Sequence, residues 1–337
     1  MLKGKQTWLF DIPPIIISSS AVVGPDEGQG PLQNDFDIVH DDSTIQESTW
    51  EKAEKKLLEQ AAQIAVQKAN LKTSDMDFYI GGDLMNQIIS ASFSARTLAI
   101  PYIGIFGACS TSMEGLALGS MIVASGGAQH VLCGTGSHNS SVEKQFRYPT
   151  EYGSQKPPTA QYTVTGAGAC VLARFGKGPC VTSATIGKVV DMGITDPFNM
   201  GAAMAPAAVD TIETHFKDLN RDPSYYDLIV TGDLAAVGHD IAKALFKERN
   251  FPINHTKFGD CGLMIYDREK QAVQAGGSGA ACSAVVTYGT LLKRLNAGEL
   301  KRILVVATGA LLSPLTFQQD ESIPCIAHAV AIENGGN

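Results

Sequence analysis

No C-x-x-C pair occurs among the seven cysteines, at 109, 133, 170, 180, 261, 282 and 325, and no histidine stands at ligand spacing from them. An odd count without that spacing speaks against both a structural zinc motif and a disulfide framework. A basic surplus is missing too. Lys and Arg number 26 against 34 Asp and Glu, a net charge of −8, so no general cationic surface exists to neutralise nucleic-acid phosphates. No apolar run reaches membrane-spanning length, and the opening, MLKGKQTWLFDIPPIII, is too short and interrupted for a secretory signal. The expectation is a chain kept in a reducing compartment, with no signal peptide and no transmembrane segment. Gly166-Ala167-Gly168-Ala169 lacks the Lys-Ser/Thr of a phosphate loop and the strand-then-helix setting of a dinucleotide site. It reads as tight packing ahead of a strand from Cys170 to Arg174.

What is present is an ordinary globular composition, 44% hydrophobic and 18% charged, in a chain long enough for a large two-part α/β body. The stretch from Phe106 to Gly115 organises it. An apolar run, Ile100 to Ile105, reads as a buried strand, and Met113 to Ala124 as a buried helix. Cys109 therefore sits on a Gly-Ala turn at a helix N-terminus, where unpaired N–H groups favour a thiolate or a bound anion. A buried thiol that merely fills a tight corner fits the same pattern; the other six cysteines lie mostly in apolar runs and read as core.

Residues 1–48 look irregular or extended, with a first strand at Ile15-Ile16-Ile17. Ser48-Thr49-Trp50-Glu51 has capping-box spacing and opens an amphipathic helix to about Lys72. A strand over 77–84, a helix over 87–98 and a strand at 131–135 follow. The second half repeats this order. Asp227 to Leu234 matches Asp77 to Leu84 at an offset of 150, both fitting D-x-x-[IV]-x-G-D-L. Cys282-Ser283 matches Cys109-Ser110 at 173, as Thr308-Gly309 matches Thr135-Gly136, with the extra residues held in 250–275. A helix from Pro206 to Leu219 precedes the second strand as the first helix precedes its own. Helix–strand alternation of this kind implies an α/β fold in two halves, divided at 1–180 and 181–337, with mostly parallel strands.

The polar stretch from Gly136 to Pro149 follows a strand end, where α/β sheets build their sites. It reads as a loop, and Ser137, His138, Lys144, Arg147 and Tyr148 could together hold a carboxylate.

Three runs carry a resemblance: GACSTSMEG at 107–115, CGTGSHNSSVEKQFRYPTEYG at 133–153 and PPTAQYTVTGAGA at 157–169. With the duplication, they make the chain resemble the thiolase superfamily of condensing enzymes, and more narrowly a sporulation-protein family within it. The resemblance implies a thiolase-like duplicated αβαβα fold with mixed, mostly parallel sheets. It implies a homodimer paired near the strand before Cys109. It also implies handling of pyridine-2,6-dicarboxylate (dipicolinate), with or without calcium, beside the other subunits of the stage V sporulation A channel. The implied setting is peripheral to the inner membrane of the developing or germinating spore.

Condensing chemistry needs a thiolate, a His or second Cys to shuttle protons, and an oxyanion hole. The family's second-half His falls at Thr231-Gly232-Asp233, with His239 the nearest, and its Gly-Asn pair falls at Gly277-Ser278. His328 is a late candidate. With these partners missing, the expected site is a ligand corner formed by Cys109, Ser110, Ser137, His138, Lys144, Arg147, Ser278 and His328, with Thr111 as a further neutral donor. Neither a resident cofactor nor a metal is expected. The alternative is a Cys109-dependent acyltransferase acting on a coenzyme A thioester.

Overall fold

The computed structural model describes residues 1–146 and 156–335. Ten strands form its backbone: β1 (Ile15–Val23), β2 (Phe78–Gly82), β3 (Tyr102–Gly104), β4 (His130–Ser137), β5 (Gly166–Ala173), β6 (Cys180–Ile186), β7 (Leu228–Thr231), β8 (Phe258–Asp260), β9 (Arg302–Ala310) and β10 (Cys325–Glu333). They run in the order β8-β7-β9-β10-β6-β1-β5-β4-β2-β3, so each half supplies five strands in mirrored sequence. Within this path the halves meet at the antiparallel pairing of Cys180 with Ile15, and the short strand Thr7–Leu9 of the first half also pairs antiparallel with β6. Pairing is mixed: the outer three strands of each half are parallel, the inner ones antiparallel.

The helices explain why the path folds into layers. Helix α1 (Trp50–Lys68) buries Leu57, Leu58, Ala61 and Val66 against the first-half strands, with Thr49 Oγ1 accepting from Lys52 N–H as its cap. Helix α2 (Ile89–Leu98) lies beside it. Helix α3 (Thr111–Ala124) touches strands of both halves. It must therefore lie between them, which is why it is apolar all round instead of amphipathic. Helix α4 (Asn139–Phe146) follows β4, and α5 (Met200–Leu219) and α6 (Ala235–Glu248) cover the second half. Helix α7 (Ala280–Val285) opens a helical run to residue 296 that packs beside α3 on the first-half strands.

The duplication is visible in matching details. Asp77 accepts from the N–H groups of Gln129 and His130, and Asp227 from those of Lys301 and Arg302. In register, Tyr79 faces Leu132 and Ile229 faces Leu304, so the strand offset is 172 (304 − 132), one less than the sequence alignment suggests. A residue with positive φ precedes each central helix, Ala108 at 50° and Gly279 at 100°. By strand register Ala281 corresponds to Cys109, and by the positive-φ residue Ala280 does, so Cys282 falls beyond that position on either measure. Cys282 is core, its thiol donating to the Gly232 carbonyl.

Three further expectations change. From Asn139 to Phe146 the polar stretch after β4 is a helix, because the His138 ring caps it and Val142 and Phe146 face inward as an i, i+4 pair. Gly166 to Ala169 belong to β5 itself; a Cβ at Gly168 would lie 2.7 Å from the Ala284 backbone carbon. Helix α1 ends at Lys68, with Asn70 left-handed just beyond it.

Glu27 ties the halves together. It is fully buried, accepting from Thr165 N–H at 3.0 Å and from the Tyr266 hydroxyl. Burial pushes its pKa up to about 7, against which the Tyr266 bond works. Since the folded value lies above the unfolded one, the favourable contribution is complete below the unfolded pKa near 4.5 and lost as pH rises through 7. Ionised Glu27 then costs about 3 kcal/mol. Glu27→Gln is expected to match the wild type at pH 5 and to exceed its stability by about 2–3 kcal/mol at pH 8, as measured by urea unfolding. A gap independent of pH would refute this reading.

Candidate functional site

The turn before α3 is held by its own hydroxyls. Ser110 Oγ donates to the Gly107 carbonyl at 2.6 Å, and Thr111 Oγ1 donates to the Ala108 carbonyl at 2.6 Å while accepting from Gly107 N–H. These bonds over-determine the left-handed Ala108 and turn Cys109 into a small pocket. Both hydroxyls are thereby engaged in the backbone. One turn on, Ser112 Oγ meets Ser283 Oγ at 2.6 Å where the two central helices touch.

The group that faces Cys109 is Asp233. Its carboxylate accepts from Thr308 Oγ1 at 2.6 Å, Ser278 Oγ at 3.1 Å and Gly279 N–H at 3.1 Å, and lies beside the Cys109 thiol. Burial raises the Asp233 pKa, while the hydrogen bonds from Thr308 and Cys109 pull it back. Burial, and after it the neighbouring Asp233 charge, push the Cys109 thiol well above its ordinary value. The helix N-terminus does not prevail: a carboxylate in direct contact outweighs about half a charge of dipole. Cys109 is thus held as the thiol. Asp233 was within reach of the sequence, as the second Asp of the repeated D-x-x-[IV]-x-G-D-L run. In the first copy Asp83 instead accepts from Met85 and Ala91 N–H, serving the start of α2.

The pocket over Cys109 and Ser278 holds about 40 Å³. That is room for a few waters, far short of the several hundred Å³ that small-molecule sites offer. Leu84, Phe106, Val142, Phe146, Met200 and Leu312 make its wall apolar, and no Lys, Arg or His lines it among the described residues.

The other sequence candidates lie apart. Ser137 Oγ is buried, donating to the Val164 carbonyl and accepting from Ala281 N–H, and so joins the two central layers. His138 is buried against Trp50; Nε2–H donates to the Ser43 carbonyl at 2.6 Å and Nδ1 accepts from Ser140 N–H. Lys144 is exposed and paired with Glu51 at 2.8 Å. Arg147 and Tyr148 lie outside the described residues. His328, on β10, lines a separate pocket of about 320 Å³ with Trp8, Glu114 and Ile186, and burial pushes its pKa down to about 4. Among the described residues of the expected set, only Cys109 and Ser278 share the pocket wall. His239 stacks on Phe258 and bonds its carbonyl, away from the thiol. Among the described residues no group of three or more His, Cys, Asp or Glu is placed to hold a metal.

Over residues 4–333 the chain matches the family described as Stage V sporulation protein AD (SpoVAD). It is 54% identical over 335 residues to Stage V sporulation protein AD of Bacillus subtilis (strain 168), covering 99% of this chain and 98% of that protein. Two solved structures share its thiolase-like fold. 3-Oxoacyl-(acyl-carrier-protein) synthase III from Aquifex aeolicus VF5 gives a TM-score of 0.61 at 16% identity, covering 95% of this chain and 99% of that one. A variant of OleA from Xanthomonas campestris gives 0.62 at 16% identity, covering 98% and 100%. At such identities the likeness concerns fold alone.

Proposed function

The chain belongs to the Stage V sporulation protein AD family, and from that premise we propose that it is a ligand-binding spore protein on a condensing-enzyme fold, without condensing activity. The ligand is dipicolinate, free or with calcium, taken into the developing spore and released in germination. The observation that carries the non-catalytic part is the burial of Cys109 beside the equally buried Asp233 carboxylate. A condensing cysteine needs a base that draws off its proton; a buried carboxylate that keeps the thiol protonated does the reverse. The 40 Å³ pocket also leaves no room for an acyl chain.

The unpaired outer edge of β3 and the half-exposed Phe106 support association with a second copy there. No helix among the described residues is long and apolar enough to cross a membrane. Membrane location therefore falls to partners, for which the remaining channel subunits are the proposed candidates.

Two measurements test the reading. Calorimetric titration with dipicolinate, with and without calcium, is expected to give saturable, near-stoichiometric binding; no heat in either condition would end the receptor reading. Incubation with acyl-coenzyme A thioesters is expected to leave the intact mass unchanged. An acyl adduct that disappears in Cys109→Ala would establish the acyltransferase instead.

A further inference from the structure

Phe175, at the turn between β5 and β6, is 74% exposed, more than any other Phe, Leu, Ile, Val or Met among the described residues. The turn itself is fixed. Ile16 N–H donates to the Pro179 carbonyl at 2.8 Å. Gly178, at φ 147°, lies so close to β1 that a Cβ would stand 2.2 Å from the Ile16 carbonyl oxygen. A set backbone therefore holds the ring out in solvent. Ile12, 47% exposed, belongs to the adjoining segment, where the Pro14 carbonyl accepts from Val181 N–H. Because β5 runs antiparallel to β4, with Ala173 opposite His130 at the start of that strand, this tip lies at the other end of the sheet from the Cys109 turn.

The cations beside the ring are unpaired. Arg174 and Lys177 flank it in sequence, the guanidinium 5.8 Å from the ring centre, and among the described residues no carboxylate pairs with either. Asp11, beside Ile12, is exposed and offsets one of them. Lys177 also lines a polar pocket of about 110 Å³ with Ser18, Ser19 and Asn296. That is well short of a small-molecule site, but it admits one phosphate group. An exposed aromatic ring with free basic neighbours suits the surface of an anionic bilayer, where the ring enters the headgroup–acyl boundary and the cations meet phosphates. Phe175 and Ile12 offer far less apolar area than a protein–protein interface of about 1,600 Å² requires.

We infer that the β5–β6 tip is a membrane-docking point that inserts Phe175 into the surface of an anionic phospholipid bilayer, with Arg174 and Lys177 on the headgroup phosphates. The contact is interfacial, since no helix among the described residues is long and apolar enough to cross a membrane. It does not rest on the dipicolinate reading, and it adds a direct lipid contact to the partner-held location proposed above.

The test sediments the full chain with vesicles of phosphatidylcholine alone, or of phosphatidylcholine and phosphatidylglycerol in equal parts, with no other protein present. Binding is expected to the anionic vesicles only, and to weaken as salt rises. Phe175→Ser is expected to bind about tenfold more weakly through lost apolar burial. Arg174→Ser/Lys177→Ser is expected to lose about tenfold through lost charge. Each variant should keep the wild-type melting temperature. Phe175→Trp supplies a readout that no folding defect imitates: its fluorescence should shift to the blue on anionic vesicles, while that of the wild type, from Trp8 and Trp50, does not. Absence of wild-type binding would overturn the proposal and leave the tip to a protein partner, with the partner-held location intact. Undiminished binding by both serine variants would place the lipid contact on another face, as would an unshifted Phe175→Trp that still binds. Equal binding to neutral vesicles would overturn the part given to Arg174 and Lys177.

Discussion

Asp233→Ala is expected to lower the unfolding free energy by about 3–5 kcal/mol, because it strands several buried donors at once. Thr308 Oγ1, Ser278 Oγ and Gly279 N–H all end on this carboxylate, and Asp233 is 1% exposed, so water cannot replace it. Urea unfolding measures the loss. Asp233→Asn keeps an acceptor oxygen and should lose less. It also removes the negative charge that holds the Cys109 thiol up, so the thiolate fraction at a given pH rises. Alkylation of Cys109 by iodoacetamide at pH 8, followed by peptide mass, should therefore be faster in Asp233→Asn than in the wild type. The increase is partial, since burial is the larger cause of the raised pKa and remains. Equal rates would mean that Asp233 does not govern the thiol. The same experiment thus tests the non-catalytic reading proposed above.

The second large effect lies far from any ligand. At Gly238 of α6 a Cβ would meet the Gly201 carbonyl oxygen at 2.4 Å and the Gly201 carbonyl carbon at 2.8 Å. Both contacts are backbone atoms of α5, so no side chain can turn aside; the helices must part. Gly238→Ala is expected to cost about 3 kcal/mol through overpacking, despite alanine's better helix propensity. Calorimetric melting checks it, and a variant as stable as the wild type would show that α5 and α6 can separate without penalty.

Much of the architecture was legible from local pattern. The spacing of Leu57, Ala61, Ile64 and their neighbours specified α1, because burial on one face imposes a 3.6-residue period. The repeated D-x-x-[IV]-x-G-D-L run disclosed the duplication, because a strand ending in a buried Asp makes the same local demands in both halves. The Cys109 turn was legible for a similar reason: a strand, a Gly-Ala corner and an apolar helix are each readable within a few residues.

The site was less legible. His138, Lys144 and Ser137 stood together in sequence, yet one caps α4, one pairs with Glu51 at the surface and one links β4 to the second-half helix. Side chains one to seven residues apart on a strand-to-helix junction point in different directions, and nothing local says which of them meets a cavity. The sequence alone determined the two-half α/β plan, the placing of a cysteine at a helix start and the absence of the usual histidine from the corresponding second-half position. Only the tertiary structure decided that Asp233 faces that cysteine across 124 residues (233 − 109), that their pocket is small, and that Lys52 and Arg96 line a larger one. Local elements follow from short-range periodicity and turn chemistry; the charge and volume of a cavity depend on which distant elements pack together.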